Sequence, residues 1–301
     1  MKKYKPNNKK ELLELVRDNN IYLGDIDTSL ITDMSGLFYA SDREDFSGIN
    51  EWDTSNVTDM SVMFFNCKYF NEALSFDTSK VKNMSGMFIA CSQFNQALNF
   101  DTSKVTNMSY MFKNCLVFNQ PLKFNTLKVT KMKSMFEWCE NFDEVLNFST
   151  SKVTDMSSMF LGCSNFNQPL SFDTSKVTNM SFMFDRCFSF NQALNFDTSK
   201  VETMSYMFSD RHSFNQPLNF DTSKVRNMSS MFNKCFSFNQ PLNFNTSNVI
   251  NMSYMFENCS SFNQPLNFDT SKVNYIDNMF QDCDNLEQLP KFYTDFIEKH
   301  K

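Results

Sequence analysis

Glycine and histidine are nearly missing from this chain, which has 5 and 2 of them in 301 residues. With so little glycine there is no Gly-rich phosphate loop. His212 and His300 are the only imidazoles, which leaves little material for acid–base or metal chemistry. No C-x-x-C pair of the kind used by structural zinc sites is present. No stretch approaches the roughly 20 apolar residues of a membrane helix, so membrane insertion is not expected. The opening Met1-Lys2-Lys3-Tyr4-Lys5-Pro6 has the charge of a signal-peptide start. Asn7 to Glu11 is polar where an apolar core should follow, so a cytoplasmic location is expected. A net charge of −6 gives no general attraction to nucleic acid or to an anionic membrane face.

Other residues are abundant: 36 Phe and 21 Met, within an apolar content of 41 %. Such extremes arise when a few positions are copied many times. Asp53, Asp77, Asp101, Asn125, Ser149, Asp173, Asp197, Asp221, Asn245 and Asp269 follow one another every 24 residues. An earlier copy opens at Asp27, with two extra residues before Asp53, making eleven units over 27–292. The typical unit reads D-T-S-K-V-T-N-M-S-x-M-F-x-x-C-x-x-F-N-Q-P-L-N-F, with positions numbered 1 to 24 from the Asp.

Spacing assigns the apolar positions. Positions 8, 11, 12 and 15 (Met108, Met111, Phe112 and Cys115 in one copy) fall at i, i+3, i+4 and i+7, one face of a helical turn over 109–115. Position 9 is Ser in nine copies, Asp277 in the last and Lys133 in one, which suits an N-cap. Positions 22 and 24 (Leu122 and Phe124) alternate with a polar residue, predicting a strand over 121–124. One unit cannot cover its own apolar stripe, so neighbours must stack in register. The expected fold class is therefore an α/β repeat solenoid of parallel coils, one short strand and one helical turn per 24 residues. Three Phe columns, at positions 12, 18 and 24, should form, and the Asn column at position 19 should bond backbone at a corner. The expected domains are a helical cap at 1–26, the solenoid at 27–292 and a second cap at 293–301. Residues 8–18 read as an amphipathic helix with Leu12, Leu15 and Val16 inward.

The recurring Asp-Thr-Ser-x-Val-Thr-x-Met-Ser-x-Met-Phe-x-x-Cys-x-x-Phe-Asn-Gln-Pro-Leu resembles the bacterial surface-protein repeat of the BspA-like leucine-rich-repeat group. Residues 101–122 and 173–194 match it almost throughout. The resemblance implies a leucine-rich-repeat-like right-handed coil and, as in some members, adhesion or protein binding. It implies no catalytic residue. It also makes the cell surface, or secretion, the alternative location.

Nine cysteines, Cys67 to Cys283, share position 15, and Arg211 interrupts them. Stacked neighbours have parallel Cβ vectors about 4.8 Å apart, whereas disulfides prefer about 3.8 Å, so a buried, reduced column is expected. Met at positions 8 and 11 beside this column is read as core in preference to a Cu(I) site. Lys at position 4 (Lys80, Lys104, Lys128, Lys176, Lys224 and others) reads as a solvated turn partly neutralised by the nearby Asp, in preference to a polyanion grip. No nucleophile–base or paired-carboxylate arrangement stands out, so an enzyme is not expected. The copy at 125–148, with Leu127, Lys131, Lys133, Trp138, Asp143, Glu144 and Val145, reads as the exceptional one. No metal site and no cofactor is expected.

Positions 13, 14 and 16 vary most, and on a helical turn they would face solvent. Position 10 adds aromatics nearby. Large apolar residues gathered on an exposed edge suggest a partner, and aromatic residues are common anchors. The expected role is a monomeric module that binds a protein partner. Phe65, Trp138, Phe188 and Phe236 are the expected anchors, with Tyr110 and Tyr206 beside them. A purely structural or self-assembling rod is the alternative. The outward positions 21 and 23 are the alternative surface.

Overall fold

The computed structural model describes residues 2–300; Met1 and Lys301, the outermost residues of the two expected caps, lie outside it. Two compact units divide the chain, Met1–Lys152 and Val153–Lys301. Each is a repeat solenoid, and its coils meet through parallel bridges at position 7. In the first unit these run Asp33, Asp59, Asn83, Asn107, Lys131, and in the second Asp155, Asn179, Thr203, Asn227, Asn251, Tyr275.

In the first unit the helix α1 (Lys9–Arg17) covers the first coil. The Asn8 side chain accepts the Glu11 amide at 3.0 Å, and the Glu11 carboxylate accepts the Asn7 amide at 2.8 Å. This exchange satisfies amides that every helix start leaves open. Leu12 and Val16 are buried as their spacing dictates, and Leu15 is half-buried. The buried Arg43 donates to the carbonyls of Asp18 at 2.7 Å and Ile21 at 3.3 Å, tying the end of α1 to the first coil. Trp52 stands where later coils have their position-24 Phe. It donates from Nε1 to the Leu23 carbonyl at 2.8 Å and stacks on Phe38 at 5.8 Å.

Backbone hydrogen bonds join coil to coil, but through neither a helix nor a conventional strand. Amides at positions 8, 10, 12 and 14 donate to carbonyls 7, 9, 11 and 13 of the next coil. In the first unit the set is Met84 to Asn107 (3.1 Å), Gly86 to Ser109 (2.8 Å), Phe88 to Met111 (2.9 Å) and Ala90 to Lys113 (2.8 Å). In the second it is Met204 to Asn227 (3.0 Å), Tyr206 to Ser229 (2.9 Å), Phe208 to Met231 (3.0 Å) and Asp210 to Asn233 (2.7 Å). The amides between these close turns three residues back, as in Met111 to Met108 (3.3 Å) and Cys115 to Phe112 (2.9 Å).

The helical turn expected at 109–115 is therefore replaced by successive four-residue turns. A helix needs its amides for bonds four residues back, and here half of them are committed to the next coil. Positions 10 and 14 have positive φ, for instance 62° at Tyr110, 59° at Asn114, 58° at Tyr206 and 55° at Asp210. Positive φ at the third residue of a turn is the type II pattern. Glycine is the ordinary occupant of such a conformation, yet Val62 adopts it too, at 48°. The expected N-cap at position 9 is also displaced. Ser61 and Ser85 donate their amides to the side chains of Asp59 (2.8 Å) and Asn83 (3.1 Å), so position 7 is the capping residue of an Asx turn.

The strand expected at 121–124 forms no ladder among the described residues. Its alternation is correct, with Leu122 and Phe124 both buried. Side chains make the links there instead. Thr102 donates to the carbonyl of Asn125 at 3.1 Å, and the Asn95 side chain accepts the amide of Asn119 at 2.9 Å. The second unit repeats these links: Thr198 donates to Asp221 at 2.9 Å and Asn167 accepts the Asn191 amide at 3.0 Å.

Phe rings fill the interior as two slipped columns, with the buried position-24 rings beside them, where Phe124 stacks on Phe148 at 6.4 Å. Position-12 rings stack along the first unit at 5.7 Å (Phe64, Phe88, Phe112), and position-18 rings at 5.6–5.9 Å (Phe70, Phe94, Phe118). Within one coil the two rings meet at 4.3 Å (Phe112 and Phe118). Each buried Phe contributes about 1.5–3 kcal/mol from desolvation. In the second unit, α2 (Lys291–Lys299) lies by the last coil, with Tyr293 edge-on to Phe280 at 5.2 Å.

All nine cysteines are free; eight are buried and Cys283 is half-buried. Each thiol with an observed bond donates to the Phe carbonyl of the preceding coil, as Cys115 does to Phe88 at 3.0 Å. Burial raises the Cys115 thiol well above its ordinary range and Cys283 to about 11. A thiol reagent is expected to label Cys283 first in the native chain and the others only on unfolding. Fast labelling of the whole set would contradict this. Cys115→Ala should keep the fold and cost about 1 kcal/mol in chemical denaturation.

Candidate functional site

The same turns that join the coils also build the outward edge. A residue at positive φ is turned away from its neighbours, so positions 10 and 14 project beside position 16. In the first unit, Phe65 is half-buried and stacks on Tyr39 at 4.3 Å. Tyr110 is half-buried with the Lys113 ammonium 5.8 Å from its ring centroid, and Lys113 pairs with Glu137 at 2.8 Å. Trp138 is half-buried. Position 13 is not uniformly outward: Tyr39 is 58 % exposed and Phe65 half-buried, whereas Glu137, Asp185 and Ser209 are buried.

The second unit gathers more. Phe188 and Phe236 are 42 % and 38 % exposed, and they flank the ring of His212 at 5.6 and 4.6 Å. This makes a three-ring column on the surface. Phe182 and Tyr206 stack beside it at 4.5 Å. Asp210 pairs with Arg186 at 3.5 Å and with His212 at 3.3 Å. A cleft of about 390 Å³ lies between the position-10 rings and Asp185, Arg186, Asp210, Asn233 and Lys234. Ser209 opens it, being short where other coils carry Phe65, Ile89, Leu161 or Glu257.

Two buried groups mark this region. Burial pushes the Asp185 carboxyl up to about 7, against the pull of the Arg186 guanidinium and with Asp210 adding to the rise. Its Oδ1 has no hydrogen-bond partner. Beneath the edge, Arg211 takes the place of the column cysteine and is fully buried. Its guanidinium lies 4.9 Å from the Phe190 ring and 4.5 Å from the Phe214 ring, and none of its nitrogens is hydrogen-bonded. Burial lowers its pKa to about 10. The copy at 197–220 is thus exceptional in its own right, alongside the copy at 125–148. The break in the cysteine column was its signal in the sequence. Among the described residues no group of three or more His, Cys, Asp or Glu side chains is placed to hold a metal ion.

The family described as Mycoplasma protein of unknown function, DUF285, matches residues 9–122, 32–147, 122–219 and 218–295. The chain belongs to that family. Among solved structures, it is similar to a leucine rich cell surface protein from Faecalibacterium prausnitzii A2-165, at 16 % identity over 78 % of this chain and 77 % of that one, with a TM-score of 0.42. It is also similar to a leucine-rich repeat protein from Bacteroides ovatus ATCC 8483, at 17 % identity over 78 % and 70 % of the two chains, with a TM-score of 0.40. No curated protein matches it. Both neighbours are described as leucine-rich. None of the described helices is long and apolar enough to cross a membrane.

Two outcomes test this site. A buried cation without hydrogen bonds opposes folding, and replacing buried charge with apolar groups is often stabilising. Arg211→Cys, which restores the column, should raise the chemical-denaturation midpoint of the whole chain by the equivalent of about 1–4 kcal/mol; an unchanged or lower midpoint counts against it. Asp185 tests the electrostatics. The folded chain keeps this proton up to about pH 7, while an unfolded chain releases it near 3.8, the ordinary value. Between the two the folded state binds more protons, so stability falls as pH rises. Asp185→Asn should match the parent chain at about pH 4 and melt higher at about pH 8. Equal melting at both values would show that the carboxyl is not held neutral.

Proposed function

We propose that this chain is a non-catalytic binding module whose outward edge engages a protein partner. The observation that carries the reading is the Phe188–His212–Phe236 column, with both Phe rings more than a third exposed. Solvent gives an isolated exposed ring no reason to persist, and a contiguous apolar patch rimmed by charge is how interfaces look before they are covered. Asp210, 3.3 Å from His212 and paired with Arg186, supplies charge at that rim. Phe188, Phe236 and Tyr206 are the anchors in the second unit; Phe65, Trp138 and Tyr110 are those of the first. Rigid, stacked aromatics lose little side-chain freedom on binding, which favours them as anchors.

The module needs no cofactor for this role. Its resemblance to surface repeats suits display outside the cell, and burial of the thiols from oxidants makes the fold compatible with that setting or with the cytoplasm.

The test compares three versions of the intact chain with matched circular dichroism. The first is the parent. The second carries Phe65→Ser, Trp138→Asn, Phe188→Ser and Phe236→Asn. The third alters outward residues at position 23, with Lys123→Ala, Asn195→Ala and Asn219→Ala. Proteins captured from a host-cell extract should be lost with the second version and kept with the third. Undiminished capture by the second would place the binding surface elsewhere, and loss only with the third would place it on the outward face that carries position 23.

A further inference from the structure

We propose that the Phe188–His212–Phe236 column receives an amphipathic α-helix of the partner, lying along the direction in which the coils stack. The inference rests on the protein-binding reading above and specifies the kind of segment that this edge takes.

Spacing selects the segment. The three rings follow one another at 5.6 and 4.6 Å, and the buried rings of the same coils, Phe184, Phe208 and Phe232, at 6.0 and 5.7 Å. Anchors on a segment that runs along the column must recur at that interval. An α-helix advances about 5.4 Å per turn, so its residues at i, i+3 or i+4, and i+7 meet three successive coils with little drift. An extended peptide places side chains on one face about 6.6 Å apart, so it overshoots by roughly 1 Å at each coil. The column also has the length of a short helical contact. Ser164 and Ser260 hold position 16 in the coils on either side, so the aromatic row spans three coils, the reach of about two helical turns.

Both flanks suit a helix. On one side position 17 is Ser189, Ser213 and Ser237, all exposed, and these short side chains leave a groove for the neighbouring row of helix residues. On the other side position 14 carries Arg186, Asp210 and Lys234, charges that alternate from coil to coil. Arg186 and Asp210 pair with each other at 3.5 Å, whereas Lys234, which lines the same cleft, forms no ion pair among the described residues. The complementary helix therefore carries a carboxylate beside the apolar residue that meets Phe236.

The backbone disfavours an added strand for a second reason. Strand addition needs free main-chain groups along an edge. Here the amides of Arg186, Asp210 and Lys234 on one flank donate to the next coil at 2.7–3.0 Å. On the other flank the amides of Ser189 and Ser237 donate to the preceding coil at 3.0 and 3.2 Å. A helix bonds its own main chain and docks through side chains, which are what this edge offers.

The experiment pans a display library of random 18-residue peptides on the intact chain, after the pool has been depleted on a chain carrying Phe188→Ser and Phe236→Ser. Ser164 and Ser260 already occupy that position in other coils, so the repeat accepts the change. If the double variant fails to fold by circular dichroism, Phe236→Ser alone replaces it. Peptides that survive depletion, once synthesised, should gain helical circular dichroism on binding the parent chain and bind the variant about 30-fold more weakly. An alanine scan of each peptide should find its sensitive positions three or four residues apart. Lys234→Glu should weaken binding about twofold to fivefold, and exchanging the peptide's acidic residue for lysine should restore it. The helical proposal is overturned, with the binding reading intact, if peptides bind but their sensitive positions fall two apart or without a period, if binding brings no helicity, or if the charge exchange restores nothing. Recovery of no peptide after depletion overturns both.

Discussion

Within each unit, the amides at positions 8, 10, 12 and 14 of one coil donate to the carbonyls at positions 7, 9, 11 and 13 of the next. The other features of the coil depend on that commitment. With those amides spent between coils, only bonds three residues back remain within a coil, and the chain must turn twice through positive φ to make them. Conformational strain of order 1–2 kcal/mol at each non-glycine position is the consequence. Hydrogen bonds on both sides of each turn and the buried Phe and Met beneath it hold the residue there. The aligned peptides also share a direction, carbonyls toward the preceding coil and amides toward the following one. In the first unit the carbonyl end is the one that α1 covers, with the Lys9 ammonium bonded to Asp33 and Ser35.

The interior is uniform enough that Arg211 stands out. Cys at position 15 is small, donates weakly to a carbonyl and fills its space without charge. Arg211 in the same place brings a cation among four Phe rings, at 4.5 to 6.0 Å from their centroids, with no oxygen to receive its donors. Cation–π attraction offsets part of that burial cost, at about 2 kcal/mol or so for a desolvated contact. The irregularity coincides with the richest part of the surface: the His212 stack, the Asp210 pairs and the Ser209 opening all belong to the same coil.

Much of the site was legible from the pattern of substitutions among copies. Position 16 was identified as outward because it flanks the inward cysteine, and Phe188 and Phe236 are exposed there. Positions 10 and 14 vary because their side chains leave the coil, although the cause is positive φ, not a helical phase. Position 13 is outward in some copies, such as Tyr39, and drawn inward in others, at Glu137, Asp185 and Ser209. Asp185 and the cleft were not legible, because nothing local distinguishes this Asp from the many aspartates of the repeat.

Sequence alone determined the 24-residue period, the inward set of Val, Met, Phe and Cys, the stacking of like on like and the capping helix α1. These are properties of spacing and hydrophobicity, which are carried by each residue and its near neighbours. Only the tertiary structure decided the direction of the amides, and with it the choice of turns over a helix, the capping role of position 7 and the burial of Glu137, Asp185 and Ser209 at position 13. Those depend on a partner one coil away. An amide has the same identity whether it bonds within its own coil or to the next, and only the approach of the next coil determines which bond it makes.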